Sequence, residues 1–184
     1  MLERMDDFFT ARINGYDEHM KSNIEGASSF YKFTASLLPE IENAKVLDLG
    51  CGSGILSIAA LLLGAEHAFA CDIDEKCVNV AYENASLNGI GQDLYTVRWG
   101  DVLSNRRLQK EFGGNYDVIV ANIVSDVIIS LSSQVRPLLK PGGLFLCSGI
   151  IDDRADEVAG VLRINGWEIV EMRDSEGWYS YLCR

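Results

Sequence analysis

The stretch VLDLGCGSGILSIAA, residues 46–60, decides the fold. It opens with an aliphatic run interrupted by one carboxylate, Asp48. It then places Gly50, Gly52 and Gly54 in alternation with Cys51 and Ser53, and continues into a largely apolar segment from Ile55 to Leu63. A β-rich run ending in glycines that open a helical segment predicts a strand, a tight loop and a helix. Glycines in such a loop allow tight turning and a close approach of backbone to a ligand. The dinucleotide-binding pattern G-x-G-x-x-G does not fit, because counted from Gly50 its third glycine falls on Ile55.

Outward from that loop, short aliphatic runs alternate with amphipathic stretches. Predicted strands are 45–49, 67–72, 94–99, 116–121, 143–149, 167–174 and 178–183; predicted helices are 54–63, 75–88, 104–112, 125–139 and 154–165. Continuous Val/Ile/Leu strands alternating with helices predict an α/β fold: a doubly wound, mostly parallel seven-stranded sheet with helices on both faces. The last two runs are separated only by Ser175-Glu176-Gly177, which leaves no room for a crossover helix. They are therefore expected to form an antiparallel hairpin, so that the sheet ends on a reversed strand. Residues 1–40 are predicted to form an N-terminal helical cap, with a second helix from Ala27 to Leu38 halted by Pro39, and residues 41–184 a single compact domain.

The chain has 184 residues, 48% of them hydrophobic, and a formal net charge of −11. Such an acidic surface disfavours nucleic acid or anionic lipid as the main partner. The longest apolar run falls well short of the about 20 residues that span a bilayer, and the start does not read as a secretory signal. The five cysteines lack C-x-x-C spacing and lie mostly within apolar runs, which reads as reduced thiols in a cytoplasmic protein. Neither of the two histidines, His19 and His67, has metal-ligand spacing, so no metal is expected.

Residues 45–184 resemble the class I, seven-stranded S-adenosylmethionine-dependent methyltransferases. The resemblance rests on DLGCGSG at 48–54, on ACDID at 70–74, on GDV at 100–102 and on the reversed last strand. It implies a Rossmann-like methyltransferase fold and S-adenosyl-L-methionine as cofactor. Gly50, Gly52 and Gly54 would lie against the amino-acid part of the cofactor, and Asp48 would help hold its ammonium. Asp72, followed by Ile73, would accept hydrogen bonds from the ribose hydroxyls. Asp101 would meet the adenine amino group and the Val102 amide the ring. Read singly, Asp48 is also a charge partner for a helix N-terminus, Asp74 a helix cap, Asp101 a turn residue and Cys51 a packing residue.

The segment DVIVANIVSDVI, residues 117–128, is expected to carry the chemistry. Asn122 falls just past the fourth strand, where it is expected to contact the cofactor as well, and an asparagine carbonyl can accept a hydrogen bond from an amine whose lone pair points at the methyl group. The longer segment 120–158, with Ala121-Asn122-Ile123, Lys140–Gly143 and Ser148–Ile150, resembles the catalytic domain of the bacterial methyltransferases that modify ribosomal protein eleven of the large subunit. That resemblance implies protein amines as acceptors. Two features depart from it. The family has a separate N-terminal recognition domain, for which this sequence has no room. It also has a loop of the kind FGTGTHPTT where this chain has GASSFYKFTASLLP; the opening MDDFFTARINGYDEHM instead looks like the start of small stand-alone methyltransferases.

The leading expectation is methyl transfer to an amine nitrogen of a protein, such as a ribosomal protein. The alternatives are a stand-alone small-molecule N- or O-methyltransferase, a nicotinamide-dependent dehydrogenase and a non-catalytic cofactor-binding module. Ile55 and the terminal hairpin argue against the dehydrogenase. The aromatics between Phe8 and Phe33 suit a lid over the site, with Tyr16 and His19 the polar members facing it.

Overall fold

The structure is a computed structural model and describes residues 41–184. The expected N-terminal cap, with Tyr16 and His19, lies outside the described residues. Strands β1 (Lys45–Leu49), β2 (His67–Asp72), β3 (Tyr95–Trp99), β4 (Tyr116–Asn122), β5 (Leu139–Ile151), β6 (Ile169–Ser175) and β7 (Trp178–Cys183) form one sheet in the order β3-β2-β1-β4-β5-β7-β6. The pairs β1·β2, β1·β4, β2·β3 and β4·β5 are parallel; β7 runs antiparallel to both β5 and β6. The reversed strand is thus the last in sequence but sits between β5 and β6. The hairpin closes through Glu176 and Gly177, both with positive φ (52° and 81°), the two-residue turn whose twist matches that of paired strands.

Helices α1 (Ile55–Leu62), α2 (Glu75–Leu87), α3 (Arg106–Phe112), α4 (Ser125–Ser132) and α5 (Asp152–Ile164) cover both faces. Side-chain alternation along the strands decides which face each residue joins. Leu47, Ile119 and Phe145 pack with Phe112 of α3, Ile128 of α4 and Leu162 of α5. Val46, Val118, Val120 and Leu146 point the other way, onto Leu56 and Ala60 of α1. Ala68, Ala70 and Val97 continue that second face beneath Ala81 and Ala85 of α2.

Most element boundaries shift by a residue or two, and three of the differences have a visible cause. The helix expected to run to Leu139 stops at Ser132, followed by a 3-10 turn at Arg136–Leu138. Ser132 and Ser133 donate their hydroxyls back to the carbonyls of Ile129 (2.6 Å) and Ser130 (3.2 Å), and Pro137 cannot supply a helical N–H. Strand β5 begins at Leu139 rather than Gly143: Tyr116 pairs with Leu139, then Val118 pairs with Leu144, so residues 140–143 bulge out of the ladder. Asp117 anchors that bulge, accepting from Lys140 Nζ (2.7 Å) and from the Lys45 amide (2.8 Å).

Strand β6 begins at Ile169, because Trp167 belongs to the core. Its ring lies 5.3 Å from that of Phe145, Arg136 stacks on it at 3.9 Å, and its Nε1 donates to the Ser132 carbonyl at 2.7 Å. This bond joins the end of α4 to the turn after α5. Trp167→Phe would keep most of the packing but leave that buried carbonyl unpaired. We expect a loss of about 1–3 kcal/mol of stability, read as a lower urea midpoint with an unchanged slope.

Candidate functional site

The chain leaves β1 toward β2 on one side, while β4 pairs with β1 on the other. Ligands in open α/β sheets bind at such a reversal, outside the carboxyl ends of the strands. The glycine loop and Asn122 lie on its two sides. A cavity of about 100 Å³ opens between them, lined by Asp48, Gly50, Cys51, Gly52, Ser53, Ile55, Leu56 and Asn122.

The three glycines serve different needs. Each has positive φ (72°, 54° and 82°). A Cβ on Gly54 would sit 2.6 Å from the Tyr95 hydroxyl and 3.0 Å from Ala81 Cβ, so this position lets α1 start directly against α2 and β3. A Cβ on Gly50 would press on the Ile123 side chain, whereas Gly52 faces open space. The middle glycine is therefore the one whose Cα face is open toward a ligand.

Asp48 is 1% exposed. Its Oδ2 accepts from the Ser57 amide (3.2 Å) and from the Ser57 hydroxyl (2.7 Å). Gly54, at the helix start, has no side chain to cap α1, and Asp48 supplies the missing acceptor from the strand before the loop. It thus acts as the helix-terminus partner and also lines the cavity. Asp72 ties down the far side of the loop: its Oδ2 accepts from the Gly52 amide (2.9 Å) and its Oδ1 from the Asp74 amide (2.9 Å). Asp74 caps α2 through the Lys76 amide, as a cap reading of that residue expects.

Toward the edge of the sheet, Ile73 is 78% exposed and its carbonyl accepts from Trp99 Nε1 at 3.1 Å. The Trp99 indole, itself exposed at the end of β3, adds an aromatic wall that sequence reading did not single out; its position as the last residue of a strand in the ACDID neighbourhood was the available signal. Asp101 is occupied locally, accepting from the Leu103 amide (2.9 Å) and the Ser104 hydroxyl (2.8 Å). The Val102 side chain is in the core, and its backbone hydrogen-bonds the Cys71 thiol. Cys51 is buried, and desolvation pushes its thiol far up, so it is a packing residue rather than a nucleophile.

Asn122 ends β4 opposite Ser148 of β5. The fully buried Ser148 hydroxyl donates to Asn122 Oδ1 at 3.1 Å. Gly149 follows with φ of 80°, and a Cβ there would come within 2.8 Å of the same oxygen and 3.0 Å of the Ile123 backbone. The Ser148-Gly149 pair therefore both holds the amide and makes room for it. Ser148 had no role in the sequence reading beyond its place in a recognised tripeptide, because its bond to Asn122 exists only through β4–β5 register.

Burial pushes the Asp48 carboxyl up to about 6, with Ser57 opposing the shift through its two hydrogen bonds and Asp72 adding to it by repulsion. The folded protein therefore holds the Asp48 proton more tightly than the unfolded chain does. The resulting stability is complete below the ordinary carboxylate value near 4 and is lost as pH rises through about 6. Comparing the native protein with Asp48→Asn over this window by chemical denaturation, we expect an extra decline on the order of 2–3 kcal/mol in the native protein alone.

With this geometry in hand, the likeness to known proteins is informative. Residues 36–184 match the ribosomal protein L11 methyltransferase (PrmA) family. The ribosomal protein L11 methyltransferase of Caldanaerobacter subterraneus subsp. tengcongensis is 46% identical over 141 residues, 77% of this chain and 43% of that protein. The one from Agathobacter rectalis is 40% identical over 147 residues, 77% of this chain and 46% of its own length. This chain thus spans less than half the length of these relatives. Among solved structures, a ribosomal protein L11 methylase from Lactobacillus delbrueckii subsp. bulgaricus superposes with a TM-score of 0.74 at 27% identity, covering 88% of this chain and 79% of that one. An RNA methyltransferase from Salinibacter ruber, in complex with S-adenosyl-L-homocysteine, shares the fold at a TM-score of 0.65 and 21% identity, covering 86% of this chain and 92% of that one. The glycine loop, the Asn122 strand end and the reversed β7 are thus the local signs of a Rossmann-like methyltransferase fold, and the chain belongs to the ribosomal protein L11 methyltransferase family.

Proposed function

We propose that this chain transfers a methyl group from S-adenosyl-L-methionine to an amine nitrogen of a protein in the cytoplasm, a ribosomal protein in the first instance. The observation that carries this reading is the single cavity shared by Asp48, Gly50, Gly52 and Asn122. The residues present fit such a cofactor. A buried carboxylate that desolvation makes costly to ionise gains from a cation beside it, as the cofactor's ammonium would be. Gly52 leaves its face of the loop open, and each Asp72 oxygen has a lone pair left for a ribose hydroxyl. Ile73 and Trp99 offer apolar surface toward the base, with Asp101 and Val102 at that end of the site. Among the described residues no helix is long and apolar enough to cross a membrane.

The cofactor supplies a methyl group already activated on a sulfonium. The chain's own task is then to position the acceptor and exclude water. Asn122 Oδ1 would accept a hydrogen bond from a neutral amine and hold its lone pair in line with the methyl carbon. The sulfur would keep the electron pair of the bond to the transferred methyl, and the methylated nitrogen would give up its proton to solvent as the product leaves. The Ser148 hydroxyl holds the Asn122 amide oxygen in place and leaves it a second lone pair for the amine.

Calorimetry should detect binding of S-adenosylmethionine and of S-adenosylhomocysteine but not of NAD. Asp72→Ala should weaken cofactor binding by about 1–3 kcal/mol, through lost ribose bonds and a loosened Gly52 amide. Asn122→Ala should leave cofactor affinity intact and lower turnover. Radiolabelled methyl transfer to purified ribosomal protein L11, located by mass spectrometry on lysine or the N-terminal amine, tests the acceptor. Label confined to small-molecule amines, or full activity in Asn122→Ala, would overturn the respective assignments.

A further inference from the structure

Beyond Asn122 the chain exposes aliphatic side chains at the start of α4 and at the end of β5. Val124 is 64% exposed, Val127 one helical turn further is 37% exposed, and Ile151 at the end of β5 is 44% exposed. The register brings them to one place. Asn122 pairs with Ser148, a Cβ on Gly149 would lie 3.0 Å from the Ile123 backbone, Val124 follows Ile123 directly, and Ile151 stands two residues beyond Gly149, past the buried Ile150. An isolated exposed valine is ordinary; several converging at the mouth of a site are not.

The charges around this patch choose its occupant. Asp126, Asp152, Asp153 and Glu176 are exposed at the same edge, with the hairpin tip brought there by the bond from the Asp152 amide to the Gly177 carbonyl (2.9 Å). Arg154, the cation between α4 and α5, is neutralised by Asp126 (2.7 Å) and Glu157 (2.5 Å). At the opposite end of the strands Lys140 and Arg184 are paired in the same way, with Asp117 (2.7 Å) and Glu168 (2.8 Å). Acids in the first turn of a helix also answer the helix dipole, but Glu176 on the β6–β7 turn has no such reason to be acidic. A positively charged partner is therefore drawn to the end that holds Asn122.

We propose that Val124, Val127 and Ile151 form the docking surface for a basic, lysine-bearing segment of the acceptor protein. Its aliphatic side chains and lysine stems would lie on the patch, its spare positive charges against Asp152, Asp153 and Glu176, and one amine at Asn122. This inference rests on the methyltransferase reading, which identifies Asn122 as the place the acceptor must reach.

The test uses the full chain with S-adenosylhomocysteine and two short fluorescent peptides, one of alternating Lys and Val, the other of alternating Glu and Val. The Lys–Val peptide should bind and weaken as salt is raised; the Glu–Val peptide should not bind. The exposed substitutions Val127→Lys and Ile151→Lys should together weaken the Lys–Val peptide by about fivefold or more. Val127→Leu should retain binding. A photo-crosslinking benzoylphenylalanine in place of Val124 should label the peptide. Equal binding of both peptides, no effect of the two lysine substitutions, or crosslinks that go to residues 1–40 or to a second copy despite excess peptide would overturn the docking surface. S-adenosylhomocysteine binding is measured by calorimetry on the same samples. Its failure would overturn the methyltransferase reading itself, whereas intact binding with no peptide discrimination would overturn the docking alone.

Discussion

The carboxylate of Asp48, held dry beneath a turn of three glycines, is the interaction on which the site depends. A glycine loop is flexible in itself, and a helix begun at a glycine has no side-chain cap. Asp48 answers both problems by accepting the Ser57 amide and hydroxyl, which locks the end of β1 to the first turn of α1 across the loop. Asp72 does the same from β2 by holding the Gly52 amide. The loop is therefore pinned at its base and at its middle, while the face of Gly52 stays open. Desolvation makes the ionised form of Asp48 costly in the protein by itself. That cost is stored where a positively charged ligand would relieve it, so the same residue that builds the loop also biases what the loop accepts.

On the other side of the reversal the logic is steric. Parallel pairing of β4 with β5 sets Asn122 against Ser148, and a positive-φ glycine next along the chain leaves space for the amide. Any side chain at 149 would push on Asn122 Oδ1 or on the Ile123 backbone. Ile123 in turn reaches across to Gly50, where again only a missing Cβ leaves it room. The two halves of the site are thus in contact through small-residue positions on each side, and movement at one is felt at the other because packed interiors have little slack.

Much of this was legible in the sequence, for identifiable reasons. Strand and helix order follow from hydrophobic periodicity, and the Glu176-Gly177 turn follows from a separation too short for anything but a hairpin. Asp48, Asp72 and Asn122 stand out because polar residues at the ends of aliphatic strands need a reason to be there. Boundaries set by side-chain bonds were not legible. The end of α4 is decided by serine hydroxyls turning back on their own helix and by Pro137, and the early start of β5 by the Asp117 anchor of a bulge. Ser148 and Trp99 were missed for a further reason: their importance comes from a neighbour in another strand, Asn122 in one case and the Ile73 carbonyl in the other, and pairing across strands leaves no local trace.

The aligned region makes up 43% and 46% of the two curated relatives. Among the described residues, an acceptor reaching Asn122 meets the surface around it, and recognition there needs both attraction and grip. An acidic rim around exposed aliphatic residues provides that economically: long-range attraction raises the encounter rate of a basic partner, and short-range apolar contact holds lysine stems without demanding a particular sequence. Such a surface selects by charge and reach more than by exact shape. An acceptor chosen in this way is expected to present its amine on an accessible, cationic segment, where the cost of threading a lysine into a narrow site is lowest.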